Sequence, residues 1–579
     1  MNNWVENIDY PEWMSEEGLK TLSRQHLLNG ETPKQMYERV SNTLSEQLYK
    51  MVSNSSWDRR LAEDFSVNLK KKWFEYMWNG WLCPSTPILS NCGTNRGYTI
   101  SCYINRVPDT LDGIYSKLHE TAMLTKYGGG VGITFDKVRG RGESISSGGF
   151  TEGTIPFIKV YDSAIVATSQ GSVRRGAISI NLPIRHKDIR EFLKIRLPIG
   201  DVNRQCLNVN HCVTIDDYFY ESVKSGDQLS REIWAELLSS RMKTGQPYIF
   251  NYHNVNNNRS EDWKKRNLKI DGTNLCSEII GYHDSDHTVV CDLISLNLAK
   301  WDEWKDDVEF IENCFLFLDC NLQEFIEKAK NVVGFESAVK FAEKSRMVGM
   351  GVLGWHTLLQ SKMIPFNSLS AKGLIKKIGN KLKTEGELSN LKWGKILGSP
   401  EWCDVNRNIS QFAIAPTTTN SLVSGGVSQG IEPIVCNAWI QKSAKGTFIR
   451  KNKYFKRLIE RKYKDHNTDQ FWNSIMTEYK GSVQHLDFLS DEEKEVFLTA
   501  YEINQLELVK NAALWQQYID QAISLNLFFP ADVELKWFNK VHLTAWEEGI
   551  KTLYYVRSES ILSKNMKGST FSDCVYCEA

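Results

Sequence analysis

No apolar run in this 579-residue chain approaches the roughly 18–20 residues that a membrane-spanning helix requires. The N-terminus, MNNWVENIDYPEW, lacks a basic stretch followed by an apolar one, so it does not read as a secretory signal. Net charge is also missing: 70 Lys and Arg balance 70 Asp and Glu. No global field therefore favours a nucleic acid or a membrane surface, and nucleotide-sized ligands fit better than polymers. There is no internal repeat, and no low-complexity tract beyond a short Asn-rich stretch at Asn254–Asn258. Glycine-rich segments occur, but none has the spacing GxxxxGK[ST] or GxGxxG, which excludes a Walker or Rossmann claim. Of the 13 cysteines only Cys574 and Cys577 form a close pair, and no second CxxC or HxxxH completes a zinc site. Without an export signal the thiols belong in a reducing compartment, where structural disulfides are rare. Catalytic or redox use of a few is open; Cys314 and Cys320, in FLFLDC, read as core.

The chain is too long for one ordinary core, so several regions are expected. Residues 1–83 read as a helical region, 84–557 as the main body and 558–579 as a polar, flexible tether ending in Cys574 and Cys577. The most chemical stretch is GTNLCSE, which sets Asn274, Cys276 and Glu278 at alternate positions. Gly272 just upstream argues for a turn or tight loop over a helix, and the extended reading taken on that ground would aim all three to one side. Taken alone, a buried structural cysteine is the better reading.

Other segments offer groups suited to an anionic ligand. Thr86 lies in PSTPILS and Ser101 next to Cys102; a rigid surface turn explains the first equally well. Gly128–Gly130 opens GGGVGI, where glycines allow close backbone approach. Residues 139–153 and 169–176 are Gly/Ser/Arg-rich loops, which solvated surface loops would also explain. Around 411–434, an apolar strand ends at Pro416 and is followed by Thr417, Thr418, Thr419 and Ser421, a strand–turn–helix start that suits phosphate. Cys291 lies in a buried-strand run, VVCDLI. Ser230 reads as the N-cap of a helix running to Gly245, and Ser490 with Glu493 as a capping box. Residues 551–557, KTLYYVR, read as a strand carrying Tyr554 and Tyr555. Cys574 lies nineteen positions beyond Tyr555, enough for an arm of up to about 60 Å when extended. A CxxC pair on such an arm suits thiol–disulfide exchange, which requires direct contact.

In this order, PSTPILS, SC, GGGVGI, SQGSVRRGA, NLCSE, Cys291, PTTTNS, LYY and the terminal CxxC make the chain, from about Pro84 onward, resemble the large catalytic subunit of class I ribonucleotide reductases. The combination is specific; no single motif is. The resemblance implies an α/β fold: a ten-stranded barrel of two antiparallel halves, each of five parallel strands, with a central finger loop carrying Cys276. It implies reduction of ribonucleoside diphosphates, with a transient thiyl radical on Cys276, Glu278 as base on the 3′-OH and Asn274 bonding the sugar. Cys102 and Cys291 are implied as the reducing dithiol, re-reduced by Cys574 and Cys577, which thioredoxin or glutaredoxin serves in turn. Tyr554 and Tyr555 are implied as the radical route from a separate radical-generating small subunit. That pair separates class I from the cobalamin-dependent class II enzymes, which share the barrel and the tail cysteines.

Thr86, Ser101, Gly130, Thr417, Thr418, Thr419, Asn420 and Ser421 are implied as substrate-binding. Asp109, Arg139, Gln170 and Arg174 are implied to hold a deoxynucleoside triphosphate or ATP specificity effector with Mg2+, at a homodimer interface. No resident metal or cofactor, nucleic acid or membrane is expected, and the location is cytoplasmic (the host's, for a phage-encoded chain). Many relatives begin with an ATP cone; here about 83 residues precede PSTP and no VxKRxG signature occurs. The expectation is that dATP acts as a specificity effector without cone-mediated shutdown. A nucleotide-binding regulatory relic is the non-enzyme alternative, disfavoured by the intact Asn, Cys and Glu positions.

Overall fold

The computed structural model describes residues 9–55, 57–168, 176–443 and 446–558. Three helices, Glu16–Gln25, Pro33–Ser53 and Arg59–Trp78, form the N-terminal region. The second starts at a full capping box of Thr32 and Gln35 with proline at its first turn, where the missing N–H costs nothing. These helices bury Met36, Val40, Leu44, Leu69 and Trp73 against the rest of the molecule.

Fourteen strands follow among the described residues: β1 (Leu82–Pro84), β2 (Cys102–Arg106), β3 (Gly130–Thr134), β4 (Ala177–Pro183), β5 (Asn210–Ile215), β6 (Tyr248–Asn251), β7 (Val289–Cys291), β8 (Leu293–Asn297), β9 (Gly349–Leu353), β10 (Ala438–Ser443), β11 (Gly446–Lys451), β12 (Leu527–Phe529), β13 (Thr552–Leu553) and β14 (Val556–Ser558). The largest sheet has the order β13-β6-β5-β4-β3-β2-β7. Its five central strands, β2 to β6, are all parallel, and β7 and β13 close its edges antiparallel. The apolar runs in these strands are buried throughout, as a parallel sheet covered on both faces requires.

The expected second half is present in a sparer form. Strands β8 and β9 are parallel, β1 joins β8 antiparallel, and the sheet continues as single parallel bridges, Met350 to Phe412 and Ile414 to Ile523. Backbone bonds from Ile414 N to Ala522 O and from Ser524 N to Ile414 O carry the order onward. The two halves meet at two seams. At one, β7 passes into β8 through the single residue Asp292. At the other, β13 pairs with β6 while Tyr554 N donates to Leu525 O.

One local reading holds as made and others shift. Ser490 and Glu493 form the capping box. The helix read from Ser230 instead spans Gln228–Thr244, with Asp227 as the cap accepting from Ser230 N; the acid outcompetes the hydroxyl one turn earlier. The strand read over 551–557 is interrupted, because Tyr554 and Tyr555 turn to different partners. A helix over Gln505–Gln516 leads the chain into the second half-barrel. The β10–β11 hairpin belongs to a satellite with its own core of Phe455, Ile459, Trp472 and Val483.

Candidate active site

A finger loop stands at the centre. Thr273 and Ile280 form an isolated antiparallel bridge, and Ser277 N donates to Asn274 O, closing a four-residue turn with Cys276 inside it. Ser277 adopts φ +71° to complete the turn. The extended, one-sided reading of GTNLCSE is therefore corrected: Asn274 and Glu278 are near neighbours because the chain folds back, and period two plays no part. The Asn274 carboxamide oxygen also accepts from Ile279 N at 3.1 Å, which locks the base of the turn.

Both half-barrels grip this finger. From the first, Asn181 on β4 exchanges two hydrogen bonds with the Thr273 backbone, and Thr214 on β5 donates to Asp271 O. Gly132 on β3 lies so close that a Cβ there would fall 2.1 Å from Thr273 O. A Cβ on Gly130 would meet Leu275 at 2.8 Å and the Cys102 sulfur at 3.2 Å. The glycines of GGGVGI are thus spaces for the finger, and Gly130 sits at the fingertip as well as beside Cys102. From the second half, Ala522 N donates to Glu278 O, Thr552 Oγ1 to Ser277 O, and Ser524 Oγ to Cys276 O at 2.6 Å.

Cys102 and Cys291 occupy directly paired positions of β2 and β7, and their thiols are hydrogen-bonded to each other. Both are buried free thiols; Cys276 is half-buried. Burial first, then Cys102, Glu278 and Cys276, raises the Cys291 thiol well above its ordinary range. Glu278, 2% exposed, is pushed up to about 8, chiefly by burial and then by Cys102. Its own backbone N–H, Asn274 and Ser524 counter that shift, and Ser524 Oγ lies 3.2 Å from the carboxylate. The Asn274 amide nitrogen makes no well-formed hydrogen bond, so it acts on Glu278 as an electrostatic neighbour. The structure thus brings Asn274, Cys276, Glu278, Cys102 and Cys291 into one centre.

Tyr554 and Tyr555 are buried with ring centroids 4.4 Å apart. Tyr248 on β6 completes a trio, 4.7 Å from the first ring and 5.0 Å from the second. Arg557 lies over the Tyr555 ring at 4.7 Å.

The hydroxyl-bearing segments also converge. Asn420 donates its side chain to Pro84 O, joining PTTTNS to PSTP. Thr86 lies in a short helix, Thr86–Asn91, 3.3 Å from the ring of buried His26, which burial lowers to about 4 and so keeps neutral. Ser101 is buried between Cys291 O and Gly130 N. Thr417 accepts from Gly430 N, Thr418 donates to Gln429 and Ser421 to Thr418 O, so three of the four hydroxyls already serve the protein. Thr419 is half-buried in the first turn of the helix Thr418–Val423.

Asp109 and Arg139 are far from the finger in the chain but paired with each other: Arg139 donates its backbone N–H and its guanidinium to the Asp109 carboxylate. The loop at 139–153 is pinned by Asp188, which accepts from Arg141 N and Thr154 N. Gln170, Arg174, Cys574 and Cys577 lie outside the described residues. Sequence reasoning missed Asn181, Ser524, Tyr248 and His26; only the GGGVGI spacing hinted that a loop must come close. Among the described residues no group of three or more His, Cys, Asp or Glu could hold a metal ion, and no helix is long and apolar enough to cross a membrane.

Comparison with known proteins identifies the family. The all-alpha domain of ribonucleotide reductase matches residues 13–97, and its barrel domain matches 100–231, 229–386 and 404–556. The ribonucleoside-diphosphate reductase large subunit of Invertebrate iridescent virus 3 is 32% identical over 590 aligned residues, spanning 88% of this chain and 92% of its own. A putative ribonucleoside-diphosphate reductase large subunit of Frog virus 3 is 35% identical over 519, spanning 86% and 90%. The class Id ribonucleotide reductase alpha subunit of Actinobacillus ureae superposes with a TM-score of 0.84 at 33% identity, covering 96% of this chain and 99% of that one. Finger, paired thiols and domain order converge on one conclusion: the chain belongs to the ribonucleotide reductase family, as a large subunit built of the all-alpha and barrel domains.

Proposed function

We propose that this enzyme reduces ribonucleoside diphosphates to 2′-deoxyribonucleoside diphosphates for DNA precursor synthesis, through a thiyl radical on Cys276. The observation that carries the reading is the meeting of Cys276, the Cys102–Cys291 thiol pair and the proton-holding Glu278 at one buried fingertip. The oxidising equivalent comes from a separate radical-generating small subunit. Cys276 gives a hydrogen atom to Tyr554 and then takes the 3′ hydrogen of the ribose, reforming its S–H bond. Glu278 in its anionic form removes the 3′-OH proton. The 2′-OH departs as water with one proton of the Cys102–Cys291 dithiol; the second thiol hydrogen goes to C2′, and as the disulfide forms the remaining electron, with the proton returned by Glu278, restores the 3′-OH on a C3′ radical. Cys276 returns the hydrogen to C3′ and is a thiyl again. Asn274 orients the sugar hydroxyls.

Ser101, Thr86, Gly130 and residues 417–421 hold the diphosphate. The first-turn N–H groups at 418–420 have no carbonyl partner within their own helix, which suits an anion. Cys574 and Cys577 carry electrons from thioredoxin or glutaredoxin to the buried disulfide. Asp109 and Arg139, with Gln170 and Arg174, bind a nucleoside triphosphate and Mg2+ across a homodimer interface, in the cytoplasm of the producing or host cell. The test is turnover of a diphosphate with a small subunit and dithiothreitol. Cys276→Ser should abolish it, and an active Cys276→Ser enzyme sinks the mechanism. Cys574→Ser should lose thioredoxin-driven turnover and keep the dithiothreitol-driven reaction.

A further inference from the structure

Arg241 is fully buried, one turn from the C-terminus of the helix Gln228–Thr244. Its guanidinium spends its donors on three neutral groups: the His542 ring at 3.0 Å, the Pro247 carbonyl, and the Tyr554 carbonyl at 3.1 Å. His542 is kept neutral by burial and by Arg241 itself, and its other ring nitrogen contacts Phe538 O at 2.8 Å. None of these partners is a carboxylate. Leaving a cation buried without a counter-ion is costly even after relaxation, and the dipole at the helix C-terminus offsets only a small part of that cost. A side chain required only for packing would be cheaper as leucine or methionine.

What the fork joins is specific. Pro247 immediately precedes Tyr248, and Tyr554 is the first member of the tyrosine pair. The same helix end is fastened to the pair a second time, because Val556 N donates to Gly245 O at 3.0 Å. Gly245 has φ +76°, and a Cβ there would lie 2.9 Å from Val556 O, so the two segments are in direct contact. A planar guanidinium with fixed donor directions sets the separation of two carbonyls in a way that an ammonium cannot.

We propose that Arg241 is a positioning residue for the tyrosine trio: it ties the backbone of Tyr554 to that of Pro247 and so fixes Tyr248 against both rings of the pair. The inference rests on the reading that Tyr554 and Tyr555 carry the oxidising equivalent to Cys276. Transfer between aromatic groups depends steeply on their separation and orientation, so a shift of about 1 Å is costly, as in any reaction that needs a set geometry. Arg241 also lies close enough to the Tyr248 phenol for their charges to interact, which gives a readout independent of turnover.

The experiment compares wild type, Arg241→Lys and Arg241→Gln in the full chain. Melting temperature, kcat and KM are measured with the small subunit and dithiothreitol. In parallel, 3-nitrotyrosine at position 248 is titrated by its absorbance. The expected result is a folded Arg241→Lys enzyme whose kcat falls about tenfold or more while KM stays within about twofold. Arg241→Gln should bind the nitrophenol proton about tenfold more tightly, since a nearby cation favours the phenolate. Free guanidinium should restore part of the kcat of Arg241→Gln. A folded variant with kcat within about twofold of wild type overturns the proposal. So does a parallel loss of kcat, KM and melting temperature with an unmoved nitrophenol titration. Should Arg241→Gln not fold, Arg241→Lys decides by the same kcat criterion. If wild type itself shows no turnover, the proposed function fails on its own, and the titration alone then judges Arg241: an unmoved nitrophenol overturns the placement.

Discussion

Cys102 stands directly opposite Cys291 across the antiparallel junction of β2 and β7. Opposed residues of an antiparallel pair have Cα atoms about 4.5–5.5 Å apart, inside the range of about 4.4–6.8 Å that a disulfide spans. Oxidation can therefore close this pair without moving either strand. Mild oxidation should remove two thiols from the titratable count, with a peptide linking Cys102 to Cys291 seen by mass spectrometry. Cys291→Ser should leave binding intact and reduce multiple turnover by about 10³-fold or more, as loss of a reacting group does.

Glu278 supplies a pH signature. Its pKa of about 8 means that the carboxyl is largely protonated at neutral pH, so a base role predicts a single-turnover rate that climbs as pH rises through about 8. Glu278→Gln should flatten that rise and lower kcat by about 10²–10⁴-fold. Stability runs the other way. The folded pKa lies above the ordinary glutamate value of 4.5, so the folded state holds the extra proton between the two values and loses stability as pH rises across that window. Urea melts at pH 5 and pH 8.5 should show Glu278→Gln gaining relative to wild type at the higher pH, by about 1–3 kcal/mol.

Gly132 tests the clearance of the finger. A Cβ would overlap the Thr273 carbonyl, which is backbone and cannot swing aside. Gly132→Ala should cost about 2 kcal/mol or more as an overpacked core does, visible in a thermal melt, and should depress kcat further than the stability loss explains. A variant with wild-type kcat would mean that the finger does not need this approach.

The Asp109–Arg139 pair predicts an effect on selection. Asp109→Ala removes the carboxylate that holds the Arg139 backbone and guanidinium. Its dithiothreitol-driven basal turnover should stay within about twofold of wild type, while the stimulation of one substrate base by its matching triphosphate should fall about tenfold, consistent with a coupling energy of about 1–3 kcal/mol. Equal stimulation by every triphosphate in wild type would contradict an effector role.

Much of the centre could be read from spacing and residue type. Cys276, Glu278 and Asn274 share seven residues, and their chemistry is visible there. Their geometry was hidden because a serine at positive φ makes the turn, a conformation usually foretold by glycine or asparagine. Ser524 looks like any strand hydroxyl, and only the fold carries it 248 residues back to Cys276. Tyr248 lacks the doubled-tyrosine signal of its partners, although it touches both. The spare second half-barrel was also illegible, because single bridges such as Ile414 to Ile523 leave no run of alternating residues.

The finger is held from both sides, and this bears on how the molecule comes into being. Its tip leans on Thr552, 275 residues further along the chain. Contacts of such range form late, since loop closure must precede them. During synthesis the first half-barrel can assemble its parallel strands while the fingertip still lacks its far wall. The fingertip is therefore incomplete until nearly the whole described chain has emerged and closed upon itself.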